Sequence, residues 1–194
     1  MKKLIGLNKL KTAIFISGTG SNFKNLVKFS KLKNSPIEIP LVISNNSNAK
    51  GLAFAKKYKI KKKVFSFKNQ KKDEDHILSS LKKNKISLIC LAGFMRILSQ
   101  NFIKKFEGKI LNIHPSLLPK YKGLNTHERA IKNKDKFAGA SIHKVTGKLD
   151  SGKVILQKKV KILKTDNVKS LEKKVLKIEH EIYPKAIDKF LTNL

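Results

Sequence analysis

The sequence predicts an α/β fold: a doubly wound, mostly parallel sheet flanked by helices, with a C-terminal hairpin-like addition and a final helix. Three observations predict it. Short apolar, β-branched runs alternate with helical patterns at a spacing of roughly 20–25 residues, as parallel strands with crossover helices require. The first run, Ala13-Ile14-Phe15-Ile16-Ser17, leads straight into the glycine turn Gly18-Thr19-Gly20 and a helix. Near the middle, the run Gly108-Lys109-Ile110-Leu111 delivers Asn112 and His114 to the carboxyl edge of the sheet, where open α/β folds bind ligands.

The elements follow in order. After the glycine turn, Phe23, Leu26, Val27 and Phe29 face the core of a first helix. A strand over residues 37–43 ends in Ser44-Asn45-Asn46, a helix is expected from Asn48 to Tyr58, and a short strand from Lys63 to Ser66. A helix from Asp73 to Lys83 precedes the strongest strand, Leu88 to Ala92. Beyond Leu111, two prolines and Gly123 argue against helix or ladder through the loop Asn112–Gly123. Asn125-Thr126-His127-Glu128 has the form of a helix start with a capping box, and His127 in that first turn reads as structural. The runs from Gly139 to Val145 and Lys153 to Gln157 form the hairpin-like addition. Thr165-Asp166 caps a final helix that buries Val168, Leu171, Val175, Ile178 and Ile182, with a kink expected at Pro184.

At 194 residues and 40% hydrophobic content, the chain fits one ordinary domain, 1–194, with a sizeable core. Its formal net charge is +31, with 44 Lys and Arg against 13 Asp and Glu. The lysines are spread over the whole length and Arg96 and Arg129 are the only arginines, whereas groove readers favour the guanidinium fork. Lysine-rich solvated faces account for the charge, so no specific nucleic-acid partner is expected. Cys90 is the single cysteine, which excludes an internal disulfide, and no Cys/His cluster has metal-ligand spacing. The N-terminal Met1-Lys2-Lys3 stretch is broken by Asn8, Lys9 and Lys11, and Ala13–Ile16 is too short for a signal or a span. A cytoplasmic protein without membrane partners is expected.

Several positions carry a chemical reading beside a plainer one. Asn112 and His114, two apart at a strand end, project the same way and can hold a carbonyl oxygen as charge builds on it; the plainer reading is a rigid loop. Gly18-Thr19-Gly20-Ser21-Asn22 aims helix N–H groups at an anion, or is a tight turn. Ser21 and Asn22 either cap that helix or touch the ligand. Met95, Ile97 and Leu98, after the turn at Gly93, form an apolar wall for a flat ligand, or core. Asp150, before Ser151-Gly152, reads by position as a turn carboxylate.

Taken together, the segments Ile16–Asn22, Leu91–Leu98, Asn112–Pro119 and Leu149–Gly152 resemble the phosphoribosylglycinamide formyltransferase family, in its order and spacing over most of the chain. The resemblance implies a Rossmann-like formyltransferase fold, with a phosphate-binding N-terminal half and a folate-binding, catalytic C-terminal half. It implies transfer of a formyl group from 10-formyltetrahydrofolate to the amine of 5′-phosphoribosylglycinamide, without a metal. By motif it puts Asn112, His114 and Asp150 on the catalytic positions, and Gly20, Ser21 and Asn22 on the ribonucleotide phosphate. Glu179 falls on the contact near the ribose. Met95, Arg96, Ile97 and Leu98, with Asn112, fall on the folate-contacting positions, as do Thr146, Gly147, Lys148, Leu149 and Asp150. Asp150 near His114 is expected to raise the imidazole pKa. The chain departs from the family pattern at Gln70, where relatives often carry a folate-side Arg, and at Leu176, polar in some relatives. A deformylase relative is expected to need an N-terminal regulatory domain, and a methionyl-tRNA formyltransferase a C-terminal one. Neither fits a first strand near Ala13 and an end at Leu194.

Overall fold

The structure, a computed structural model, describes residues 9–192. The opening Met1-Lys2-Lys3 stretch lies outside them. The architecture is the expected mostly parallel, seven-stranded sheet flanked by helices, and the chain forms two compact units. Among the described residues, the first comprises 9–96 and Lys105–Gly108, the second Ile97–Lys104 and 109–192.

In the first unit, β1 (Leu10–Ile16) is followed by α1 (Ser21–Ser30), β2 (Ile37–Ser44), α2 (Leu52–Lys57), β3 (Lys61–Val64), α3 (Gln70–Lys83) and β4 (Leu88–Leu91). All pairings here are parallel: β1 lies between β2 and β4, and β3 joins the far side of β2. Strands covered on both faces need continuous apolar sequence, and Ala13 to Ile16 are fully buried. The register of β1 on β2 slips between Lys11 and Ala13, next to Pro40, which has no N–H for the ladder. The free edge strand β3 is nearly all lysine, Lys61-Lys62-Lys63. It begins and ends two residues earlier than expected.

The helices also differ at their starts. α3 begins at Gln70 rather than Asp73, because the Asn69 side chain accepts from Lys72 N–H at 3.0 Å and caps it. α2 begins only at Leu52, since the preceding turn runs Gly51 against the glycine loop, with its N–H donated to Gly18 O at 3.0 Å.

Past β4, α4 (Gln100–Lys105) is a short helix the sequence reading did not anticipate; Phe102 N–H donates to the Ser99 hydroxyl at its start. The second unit holds β5 (Lys109–His114), α5 (Thr126–Lys132), β6 (Phe137–Lys144), β7 (Val154–Lys161) and α6 (Val168–Thr192). β6 pairs antiparallel with both β5 and β7, which is the expected hairpin-like addition. α6 packs on β6 and β7 through Leu171, Val175, Ile178 and Ile182, while Val168 stays exposed. Its cap is Asn167, not Thr165-Asp166. Asn167 Oδ1 accepts from Ser170 N–H, and Ser170 Oγ accepts from Asn167 N–H. Asp166 instead receives Leu163 N–H, the Ser170 hydroxyl and Lys174, a set that lowers its carboxyl pKa to about 2. α5 lacks the expected capping box: Asn125 has φ 57 and makes no side-chain cap bond.

Candidate active site

β5 continues through His114 instead of ending at Leu111, so Asn112 and His114 sit in the ladder itself. The antiparallel register sets Asn112 opposite His143, Ile113 opposite Ile142, and His114 opposite Ser141. Side chains of directly paired residues lie on one face, so Asn112 and His143 are neighbours across the strands. Asn112 Nδ2 is 3.1 Å from His143 Nε2. The connection from β6 to β7 then returns Asp150, at φ 44, to both rings: its Oδ2 is 3.4 Å from His114 Nδ1 and its Oδ1 3.5 Å from His143 Nε2. His114, His143 and Asp150 are all buried.

The other ring nitrogens fix where protons sit. His114 Nε2 faces the Tyr121 carbonyl oxygen at 2.8 Å, and His143 Nδ1 faces that of Lys144 at 2.9 Å. A carbonyl only accepts, so each of those nitrogens carries the hydrogen. Neutral His114 would then turn its Nδ1 lone pair toward the Asp150 carboxylate, an arrangement that a second proton relieves.

Burial is the largest influence on His114 and lowers its pKa below the ordinary 6.5. The Tyr121 carbonyl and Asp150 pull it up, and His143 and Arg129 push it down. Asp150 thus acts in the expected direction, but desolvation outweighs it, a correction to the expectation of a raised imidazole. For Asp150 itself burial pushes the carboxyl up. The His143 ring, the Gly123 N–H donated at 2.9 Å and His114 together outweigh it, and the net pKa is lowered.

The loop after β5 is tied down along its length. Ser141 Oγ donates to Ser116 O at 2.6 Å and accepts from Leu118 N–H, while Gln157 Nε2 donates to both Leu118 O and Ser141 Oγ. Tyr121 and Gly123, both at positive φ, turn the chain so that a carbonyl meets His114 and an N–H meets Asp150. In the second loop, the Thr146 hydroxyl and Lys148 bond each other through a short turn, and Thr146 to Leu149 are exposed.

Asn112, His114 and Asp150 are therefore brought together, and His143 joins them as the residue the sequence reading passed over. The sequence shows a histidine two positions after Ser141, but not the residue it faces across the sheet.

In the first unit, the glycine loop closes on α2. A Cβ on Gly51 would meet Gly20 Cα at 2.9 Å. Gly20, at φ 72, is the N-cap of α1 and supplies no side chain, so neither Ser21 nor Asn22 caps the helix, and Asn22 is buried. Ser17 bonds Asn45 and accepts Met95 N–H at 2.7 Å, holding the turn after β4. Of the expected apolar wall, Met95 and Ile97 are exposed and Leu98 is core. Arg96 is exposed. Gln70 is exposed at the start of α3 and donates to Glu74 at 2.9 Å. Glu179 is buried on α6, with Leu176 half-buried one turn before it. Among the described residues, no group of three or more His, Cys, Asp or Glu is arranged to hold a metal ion, and no helix is long and apolar enough to cross a membrane.

Comparison with known proteins gives this geometry a family. The Formyl transferase family model matches residues 10–187, and the chain belongs to that family. Phosphoribosylglycinamide formyltransferase of Haemophilus influenzae is 42% identical over 183 residues, covering 93% of this chain and 86% of that protein. The human trifunctional purine biosynthetic protein adenosine-3 is 41% identical over 182 residues, 92% of this chain and 18% of the far longer relative. The crystal structure of phosphoribosylglycinamide formyltransferase from Brucella melitensis matches with a TM-score of 0.89 and 44% identity, covering 94% of this chain and 96% of that one. Within the family, the chain falls among the phosphoribosylglycinamide formyltransferases.

Proposed function

We propose that this chain transfers the formyl group of 10-formyltetrahydrofolate to the amine of 5′-phosphoribosylglycinamide, a step in the assembly of the purine nucleotide IMP. The observation that carries the reading is the cluster of half-buried Asn112 and buried His114 on β5 with buried Asp150 from the β6–β7 connection. Kinship with relatives named for this activity supports it.

The amine attacks the formyl carbon, the carbonyl oxygen becomes an oxyanion, and the bond to the folate nitrogen breaks. Asn112 donates to the oxyanion, and His114 supplies the second donor by turning its Nε2–H from the Tyr121 carbonyl to the developing charge. Loss of one such donor typically costs about 10²–10³ in rate. His114 is held below its ordinary pKa in the free protein, so negative charge developing beside it favours the imidazolium. Asp150 stabilises that cation. As an ionised carboxylate it also takes the amine's proton through water, and the folate nitrogen leaves protonated. This route needs no metal ion and no covalent intermediate.

In the same reading, Gly20, Ser21 and Asn22 anchor the ribonucleotide phosphate, because the first N–H groups of a helix have no intrahelical partner and favour an anion. Glu179 serves the ribose side. Met95, Arg96, Ile97, Leu98 and the segment Thr146–Asp150 contact the folate, and exposed Met95 and Ile97 offer it apolar surface. The chain is read as one formyltransferase domain acting on small molecules in the cytoplasm, without a specific nucleic-acid partner.

Product analysis with 10-formyl folate tests the reading. Stoichiometric formylation of the ribonucleotide, with little folate turnover in its absence, is expected. Rapid formate release that ignores the ribonucleotide would make the chain a deformylase instead.

A further inference from the structure

His143 has no role in the transfer as described so far, yet it is 2% exposed and touches two of the groups that carry it. Its ring is fixed at both ends. Nδ1–H donates to Lys144 O at 2.9 Å, which leaves Nε2 of the neutral ring with a lone pair. Asn112 Nδ2, 3.1 Å away, is the donor that meets it. Asp150 Oδ1, 3.5 Å from the same nitrogen, is the more distant neighbour, and the amide is the nearer partner of Nε2.

A free carboxamide can turn about its last side-chain bond and exchange its NH₂ for its oxygen. Such a flip at Asn112 would aim a partial negative charge at the oxyanion. One hydrogen given to His143 removes that freedom, because the imidazole nitrogen accepts from NH₂ but repels the amide oxygen. The amide's second hydrogen then has one direction. The cross-strand pairing of residues 112 and 143 holds both backbones in register, so the anchor is built into the sheet.

We propose that His143 is a positioning residue of the transfer reaction: through Nε2 it sets the orientation of the Asn112 carboxamide, so that the second amide hydrogen meets the formyl oxygen. The proposal rests on the function proposed above. His143 acts through Asn112 and does not itself touch the substrate.

The test pairs two substitutions of similar polarity that replace different halves of the ring. In His143→Asn the side-chain amide can keep the bond to Lys144 O but is too short to reach Asn112. In His143→Gln the side-chain oxygen falls near the former Nε2 and can accept from Asn112. Each is made in the natural chain and in Asn112→Ala, and kcat and KM are measured for both substrates. Expected are a kcat lower by about 10- to 100-fold for His143→Asn, the scale of a misplaced donor, with KM within about two-fold. His143→Gln is expected to retain most of kcat. In the Asn112→Ala background, His143→Asn should cost less than about two-fold, since the group it positions is gone. Equal losses in both backgrounds, an unaltered kcat in His143→Asn, or the opposite order of Asn and Gln would overturn the positioning role. A natural chain that transfers no formyl group would overturn the functional reading itself, an outcome visible before any variant is made.

Discussion

Gly20 and Gly51 stand so close that a Cβ built on Gly20 would come within 2.5 Å of the Gly51 Cα. The obstacle is backbone and cannot rotate away, and Gly20 also has φ 72, a conformation costing an ordinary residue about 1 kcal/mol or more. Gly20→Ala should therefore destabilise the protein by about 2 kcal/mol or more, as strained backbone sites do. It should also raise KM for the ribonucleotide, because the start of α1 must shift. Ser21→Glu should raise the same KM through charge repulsion with little change in Tm. Thermal melts and substrate titrations check both, and an unchanged KM in both variants would remove the phosphate assignment.

His114→Ala and Asn112→Ala should each lower kcat by at least about two orders of magnitude while the fold persists. Folding is checked by near-ultraviolet circular dichroism, and turnover by product formation. Near-normal rates in a folded variant would refute the oxyanion role.

Asp150→Asn should keep KM and lose most of kcat. The carboxylate is one of the influences raising the His114 pKa against burial. Without it the imidazole titrates at still lower pH, and the alkaline loss of kcat that follows deprotonation moves to lower pH. A pH–rate profile superimposable on the unsubstituted enzyme would return Asp150 to a turn residue.

Stability should fall in mild acid. Burial holds His127 below the ordinary 6.5, with Glu172 opposing and His114 adding to the shift, and burial likewise lowers His114. The unfolded chain then binds more protons below pH 6.5, so the stability present above that value is lost as pH falls through it toward the folded-state pKa. His127→Gln removes one of the two contributions. Urea midpoints between pH 7 and 5 should slope less steeply in the variant, and an identical slope would show that His127 titrates alike in both states.

Much of this was legible in the chain. The runs at Ala13–Ile16 and Leu88–Ala92 announce buried parallel strands because apolar continuity has few other uses at that length. Asn112, His114 and Asp150 were legible by motif. His143 was not, because its meaning depends on an antiparallel register that pairs it with Asn112, a relation across residues far apart in sequence. The extent of β5 was hidden by Pro115, which argues for a loop but leaves the preceding residues free to stay in the ladder. The lowered pKa of His114 was missed for a related reason: a neighbouring carboxylate can be read from a motif, whereas burial is known only once the surrounding elements are packed.

The lysines of the outer strands reach further than the site. β3 offers Lys61, Lys62 and Lys63 on one unit's free edge, and β7 offers exposed Lys158, Lys159 and Lys161 on the other's. A strand from a second molecule adding to either edge would bring like ammonium groups to roughly the 4.8 Å spacing of paired strands. At a formal net charge of +31, such encounters are repelled well before backbone groups can meet. The edge strands of the sheet are thereby guarded against fibril growth by charge. That guard weakens as ionic strength shortens the reach of the field to about 3 Å at 1 M salt, so concentrated brine removes the protection that the edge lysines give.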